Sequence, residues 1–145
     1  MLYYASHAND NDGTNVGDVM INPELAKYVS NWGRDGDLGF MAVAEQPFGA
    51  VWARLFVGPN KGYSQVDDKT PELAIAVHPD YIGRGIGTQL MRHFLEKAKP
   101  IYPGIALNVR SDNPALRLYQ RLGFEIVSEM INRVGGKSYD MRITF

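Results

Sequence analysis

A chain of 145 residues has the size of one ordinary domain and buries about two thirds of the surface its unfolded form exposes. Its 45% apolar and 21% charged residues match globular sequences and exclude collagen-like, coiled-coil and disordered classes. The formal net charge of −1 and the absence of cysteine speak against a nucleic-acid partner held by phosphate neutralisation and exclude thiol nucleophiles, disulfides and Cys-based zinc sites.

In chain order, residues 1–12 lack the basic-then-apolar pattern of a secretory leader. The apolar runs fall far short of the about 20 residues that cross a bilayer, so cytoplasmic residence without a membrane partner is expected. Residues 8–15 are dominated by Asn, Asp and Gly, which bond their own backbone and favour a loop. Asn22 before Pro23 reads as an N-cap with proline at the first helical position; Leu25, Val29 and Trp32 share one face, and Gly33 ends the helix. Runs 38–44 and 50–57, split by Glu45-Gln46-Pro47-Phe48-Gly49, predict an antiparallel hairpin. Residues 58–70 form a polar loop whose Asp67 and Asp68 are either plainly solvated or a lure for a cationic amine.

From Glu72 the pattern changes, because Leu73-Ala74-Ile75-Ala76-Val77 is a continuous apolar run suited to a strand buried on both faces. His78-Pro79-Asp80-Tyr81 stops it. Residues 85–99 place Ile86, Leu90, Met91, Phe94 and Leu95 at helical spacing opposite Arg92, Glu96 and Lys97, and Pro100 and Pro103 close that helix. A strand over 105–109 follows, and strand, helix, strand in this order predicts a right-handed crossover between parallel strands. After Asp112-Asn113-Pro114 a short helix carries Ala115, Leu118, Tyr119 and Leu122 on one stripe, with Gly123 as its left-handed cap. Runs 124–131 and 138–145 join through Gly135-Gly136 as a hairpin. The expectation is one mixed α/β domain over 1–145.

The most informative segment is Ile82-Gly83-Arg84-Gly85-Ile86-Gly87-Thr88, where a strand passes through alternate glycines into an amphipathic helix. Glycines let backbone N–H groups converge, and a helix N-terminus adds unsatisfied donors and a positive dipole end, a geometry that binds phosphate. A P-loop needs a lysine between its last glycine and Ser/Thr, which Gly87-Thr88 lacks. A dinucleotide fingerprint needs its third glycine three residues after the second, whereas Gly85 and Gly87 are two apart.

The segment instead resembles the pyrophosphate-binding motif of the GNAT family of N-acetyltransferases, Gln or Arg, two residues, Gly, one residue, Gly or Ala, with Ile82 where that family carries Gln or Arg. A second stretch, Asn108-Val-Arg-Ser-Asp112-Asn113-Pro-Ala-Leu-Arg-Leu118-Tyr119-Gln-Arg-Leu-Gly123-Phe124, is similar to the family's later signature. The resemblance covers 72–124. It implies a central, mostly antiparallel sheet whose parallel fourth and fifth strands splay apart, with flanking helices.

The same resemblance implies acetyl-CoA as co-substrate and a small-molecule or peptide amine as acceptor, attacked directly in a ternary complex. Gly83, Arg84, Gly85, Ile86, Gly87 and Thr88 would take the pyrophosphate, and the backbone of Ile75, Ala76 and Val77 would meet the pantetheine arm. An N–H near Val77 would serve as oxyanion donor, typically worth about 3 kcal/mol. Asn113, or Asp112 beside it, would contact the cofactor; Tyr119 would also approach it, acting as general acid, since a tyrosine of ordinary pKa about 10 is protonated at neutral pH. Its plainer role is a core aromatic.

Relatives with a glutamate on the fifth strand would have it at Asn108, so Glu72 is the remaining candidate base, against its plainer role as a solvated strand end. Among His7, His78 and His93 no metal-ligand spacing is found. His78 should face the turn and His93 the polar side of its helix. Arg84, Arg92 and Arg117 are either solvated or near the coenzyme's ribose phosphate, and Trp32, Phe40, Trp52 and Phe56 pack the core or line the acceptor cleft. The alternative function is a non-catalytic acyl-CoA-binding sensor on the same fold. A homodimer is an open option.

Overall fold

A computed structural model of the chain describes Ala5 and residues 23–58 and 67–145. Among these lie the helices α1 (Pro23–Ala26), α2 (Ile86–Ala98) and α3 (Ala115–Arg121). The strands are β1 (Leu38–Val43), β2 (Pro47–Arg54), β3 (Glu72–Val77), β4 (Gly104–Arg110), β5 (Glu125–Ile131) and β6 (Lys137–Thr144). Their order in the sheet is β1-β2-β3-β4-β6-β5. The β3–β4 pair is parallel, and β1–β2, β4–β6 and β5–β6 are antiparallel. This is the mixed α/β fold that the alternation of runs predicts, with the parallel pair at β3 and β4. The Asn22 cap and the 8–15 loop lie outside the described residues.

The described residues group into two compact units. One runs to Arg54 and includes Ala74–Leu95; the other combines Leu55–Leu73 with Glu96–Phe145.

In the first unit, β1 and β2 pair from Leu38 opposite Ala53 to Ala42 opposite Gly49, with an irregularity after Ala42. The reversal is shorter than the spacing predicts. The Ala44 N–H donates to the Gln46 carbonyl at 3.2 Å, and β2 starts at Pro47, a place where proline is tolerated because it opens the strand. Gly49 lets α2 come close, since a Cβ there would lie 3.1 Å from Leu90 Cδ1. Leu90, Met91, Phe94 and Leu95 are buried as their spacing predicts.

The first helix departs from expectation. It spans only Pro23–Ala26, then breaks into turns reaching Asn31, whose φ is 53°. Tyr28 is buried and Trp32 is 48% exposed, so the predicted Leu25–Val29–Trp32 face does not persist. The buried Arg54 explains this, because its Nη1 donates to the carbonyl oxygens of Lys27, at 3.0 Å, and Ser30. Those acceptors would otherwise continue the helix. The same guanidinium forks onto Asp37 at 2.9 and 2.7 Å and lies 5.3 Å from the Trp32 ring centroid. Burial pushes the Asp37 carboxyl up, but donors from Arg54, Gly33 and Arg34 outweigh it and hold the group below its ordinary range.

In the second unit, β4 and β6 pair without interruption from Gly104 opposite Thr144 to Arg110 opposite Ser138. Gly104 is required there, since a Cβ would sit 2.4 Å from the Ile143 carbonyl oxygen. Ile105, Leu107, Val109 and Met141 are buried along this pair. Glu72 of β3 pairs with Ala106, whose N–H donates to the Pro71 carbonyl at 3.0 Å. Gly123 takes the left-handed conformation expected after α3, at φ 104°. The β5–β6 turn is closed by Asn132, whose Oδ1 accepts from the N–H groups of Val134 and Gly136. β5 ends the sheet and leaves Ile126, Val127 and Ile131 exposed.

Candidate active site

The glycine turn is built from β3 forward. At its end the His78 N–H donates to the Phe48 carbonyl at 2.7 Å, and His78 Nδ1 accepts from the Asp80 N–H at 3.2 Å. The imidazole therefore faces the turn, as expected, and caps the 3-10 turn Pro79–Tyr81. Gly83 and Gly85 then adopt φ of 82° and 76°, a left-handed conformation in which any Cβ is strained. A Cβ at either position would meet no atom within 4 Å, so the space before the turn is open.

The first amide donating along α2 at its start is Gln89, to the Gly85 carbonyl at 3.1 Å. The N–H groups of Ile86, Gly87 and Thr88 thus belong to the first turn, where helical geometry provides no intrahelical acceptor. An open glycine cradle at the start of a 13-residue helix fits an anionic group such as a pyrophosphate. Ile82 is 68% exposed, so the residue standing where Gln or Arg is usual contributes no charge and packs little. Arg84 lies 5.0 Å from the Tyr81 ring centroid, and Tyr81 stacks on Phe48 at 4.5 Å.

The second unit holds the other chemical groups. Tyr119 is 6% exposed and meets Phe124 edge-on at 6.1 Å. Burial pushes its hydroxyl up to about 12. Asn113 Oδ1 accepts from the Ala115 N–H at 2.9 Å, opening α3, while Asp112 is exposed. Glu72 is 4% exposed, which corrects its reading as a solvated strand end: its backbone is paired inside the sheet. Asp67 Oδ1 accepts from the Lys69 and Thr70 N–H groups, both at 2.9 Å, and Oδ2 accepts from Arg142 at 3.0 Å. These donors, the Lys69 N–H foremost, bring its pKa to about 2. The Gly58 N–H donates to Asp68 at 3.2 Å, so both carboxylates are engaged with described neighbours; residues 59–66 of the predicted loop lie outside the described residues.

Sequence reasoning missed Asp140. Asn108 Nδ2 donates to its Oδ1 at 2.9 Å and Ser128 Oγ to its Oδ2 at 2.8 Å. The three residues are 12 and 32 positions apart and meet only through strand register. Of the aromatics, Trp52 and Phe56 are buried, and Trp52 Nε1 donates to the Tyr28 carbonyl at 3.1 Å. Exposed His93 packs edge-on to Phe40 at 4.5 Å, and Arg92 and Arg117 are exposed. His7 lies outside the described residues. Among the described residues no group of three or more His, Asp or Glu side chains is placed to hold a metal ion, and no helix is long and apolar enough to cross a membrane.

A family model described as the acetyltransferase (GNAT) domain matches residues 28–126, which include the glycine turn and Tyr119. The chain belongs to the GNAT acetyltransferases. This GNAT chain is 33% identical over 63 residues to the L-amino acid N-acyltransferase MnaT of Escherichia coli, a stretch covering 42% of this chain and 37% of that relative. The chain thus matches little more than a third of the curated relative's length. Its fold is similar to that of the ribosomal-protein-alanine N-acetyltransferase from Brucella melitensis, with a TM-score of 0.71, 21% identity, and coverage of 99% of this chain and 91% of that one. It is also similar to yncA from Salmonella typhimurium, solved with its cofactor acetyl-CoA. There the TM-score is 0.56, the identity 22%, and the coverage 69% and 59%.

Proposed function

We propose that this GNAT protein moves the acetyl group of acetyl-CoA onto the primary amine of a small molecule or peptide, by direct attack in a ternary complex, and that residues 1–145 act as one catalytic domain. The open cradle at Gly83 and Gly85, leading into the first-turn amides of α2, carries this reading. Similarity to proteins whose names specify an L-amino acid and a ribosomal-protein alanine favours the amine of an amino acid or of a peptide as acceptor.

Bound acetyl-CoA supplies an acyl carbon activated as a thioester. The residues then divide the work. Gly83 to Thr88, Arg84 included, hold the pyrophosphate, and the backbone of Ile75, Ala76 and Val77 holds the pantetheine arm, with an N–H near Val77 donating to the carbonyl oxygen. Asn113 contacts the cofactor. Glu72 receives the amine's proton through water. Tyr119 faces the departing sulfur, which leaves as a thiolate, as a hydrogen-bond donor. With its pKa pushed up to about 12 against roughly 8.5 for a thiol, it donates a hydrogen bond to the thiolate more readily than it surrenders its proton.

The test is calorimetric titration of acetyl-CoA into wild type, Gly85→Glu and Gly85→Asn. Asn tolerates the left-handed backbone best among residues with a side chain, so it reports strain alone, while Glu adds bulk and charge to the cradle. Wild type and Gly85→Asn should bind within roughly ten-fold of each other, the range of one to two kcal/mol of backbone strain, and Gly85→Glu should not bind. A wild type that fails to bind acetyl-CoA would sink the proposal. Binding without turnover over a wide amine panel would instead establish an acyl-CoA sensor.

A further inference from the structure

We propose that Asp140 is the carboxylate that receives the ammonium group of the acceptor, an assignment that rests on the acetyl-transfer reading above. Register places it: Asp140 on β6 is opposite both Asn108 on β4 and Ser128 on β5. Residues directly opposite one another across antiparallel strands project from the same face, so three polar side chains from three adjacent strands converge. The Asn108 amide and the Ser128 hydroxyl each donate to one carboxylate oxygen, at 2.9 and 2.8 Å. The Asn108 amide nitrogen also lies 3.2 Å from the Met130 sulfur.

The environment of this group is unlike that of Asp37, whose side chain is 3% exposed. Asp37 is met by the full fork of Arg54. Asp140 is 6% exposed, yet among the described residues no Lys, Arg or His lies within ion-pair distance of it. The nearest arginines in register are Arg110, opposite Ser138, and Arg142, opposite Ala106, and Arg142 is committed to Asp67 and Thr70, both at 3.0 Å.

Withdrawing a carboxylate from water without a cation is costly, and two neutral donors satisfy only half of its roughly four acceptor positions. What completes such a group is a small cation with several N–H donors. A primary ammonium offers three, and its charge-assisted bonds to a partly desolvated carboxylate are the strong kind. Ser128 is exposed beside the buried acid, so the cluster borders solvent on the β5 side. The chemistry favours a compact aliphatic ammonium over a guanidinium, because the Asn108 and Ser128 donors occupy one position on each oxygen and break up the bidentate edge that a planar fork requires.

The full chain is titrated with methylammonium, L-alaninamide and the dipeptide Ala-Gly, with N-acetyl-L-alaninamide as uncharged control. In 1H–15N spectra recorded without acetyl-CoA, at least one ammonium probe should move the Asn108, Ser128 and Asp140 signals of wild type, the control should not, and Asp140→Asn should abolish the response. A wild type deaf to all three probes, or an Asp140→Asn response equal to wild type, would overturn the assignment.

In turnover assays Asp140→Asn should raise the amine KM by roughly ten- to a hundred-fold, the range expected for one lost hydrogen-bonded charge, with the acetyl-CoA dissociation constant unchanged. An unchanged amine KM overturns it too. Asp140→Ser is read in the same way should the Asn variant not fold. Acetyl-CoA titration of wild type judges the transfer reading separately: no coenzyme binding beside an intact ammonium response would remove that reading and leave Asp140 as an amine site.

Discussion

At Tyr119 the physics of burial and the proposed chemistry meet in one hydroxyl. Its pKa, pushed up to about 12, keeps it neutral throughout any working pH, so no tyrosine ionisation should limit kcat below pH 10. Tyr119→Phe keeps the ring against Phe124 and removes only the donor. It should leave acetyl-CoA affinity unchanged and lower kcat by about 10²-fold, the scale of one lost donor or acid, as read from steady-state CoA release.

The same shift has a stability consequence. A folded pKa of about 12 above an unfolded value of about 10 means that the folded chain holds its proton longer. Stability is complete below about pH 10 and falls by about 3 kcal/mol as pH rises toward 12. Urea unfolding at pH 9 and pH 11 should show a smaller alkaline loss in Tyr119→Phe than in wild type.

Among the elements, the turns after α1 depend on one buried arginine. Arg54→Met would leave the Asp37 carboxylate desolvated and uncompensated and two carbonyls without their donor, and should destabilise the protein by about 3–5 kcal/mol in urea unfolding. Adding Asp37→Leu should recover much of that loss. Because Asp37 is held below its ordinary range, the stability it contributes is complete above that range and is lost as pH falls through its lowered pKa.

Elements whose signals are local were legible in the sequence. The apolar period of α2, the cap at Gly123, the hairpin turn at Gly135, and the continuous run of β3 each follow from neighbouring residues. The length of α1 was not legible, because the group that interrupts it arrives from β2, 24 to 27 positions away. Glu72 read as exposed because a carboxylate at a strand end usually is, whereas its pairing with Ala106 draws it into the sheet. The glycine turn could be located by spacing alone. The Asn108–Asp140–Ser128 cluster could not, since a one-residue change of register would have turned Asp140 to the opposite face.

For the molecule as a whole, the sheet ends on β5, an edge strand bearing exposed Ile126, Val127 and Ile131. Unpaired edges of this kind invite pairing with another chain unless charge or a bulge blunts them; β5 carries two charges, Glu125 and Glu129, and one register irregularity, between Ile126 and Ser128, and apart from Ser128 the rest of the strand is apolar. The long-range counterweight is weak, because the formal net charge is −1 and the isoelectric point about 6.3. The consequence is colloidal: in concentrated solution this protein should scatter most light near pH 6.3 and clear on either side. Val127→Lys, which places a like charge on every copy's edge, should flatten that maximum, and handling the protein for any of these titrations will favour buffers well removed from it.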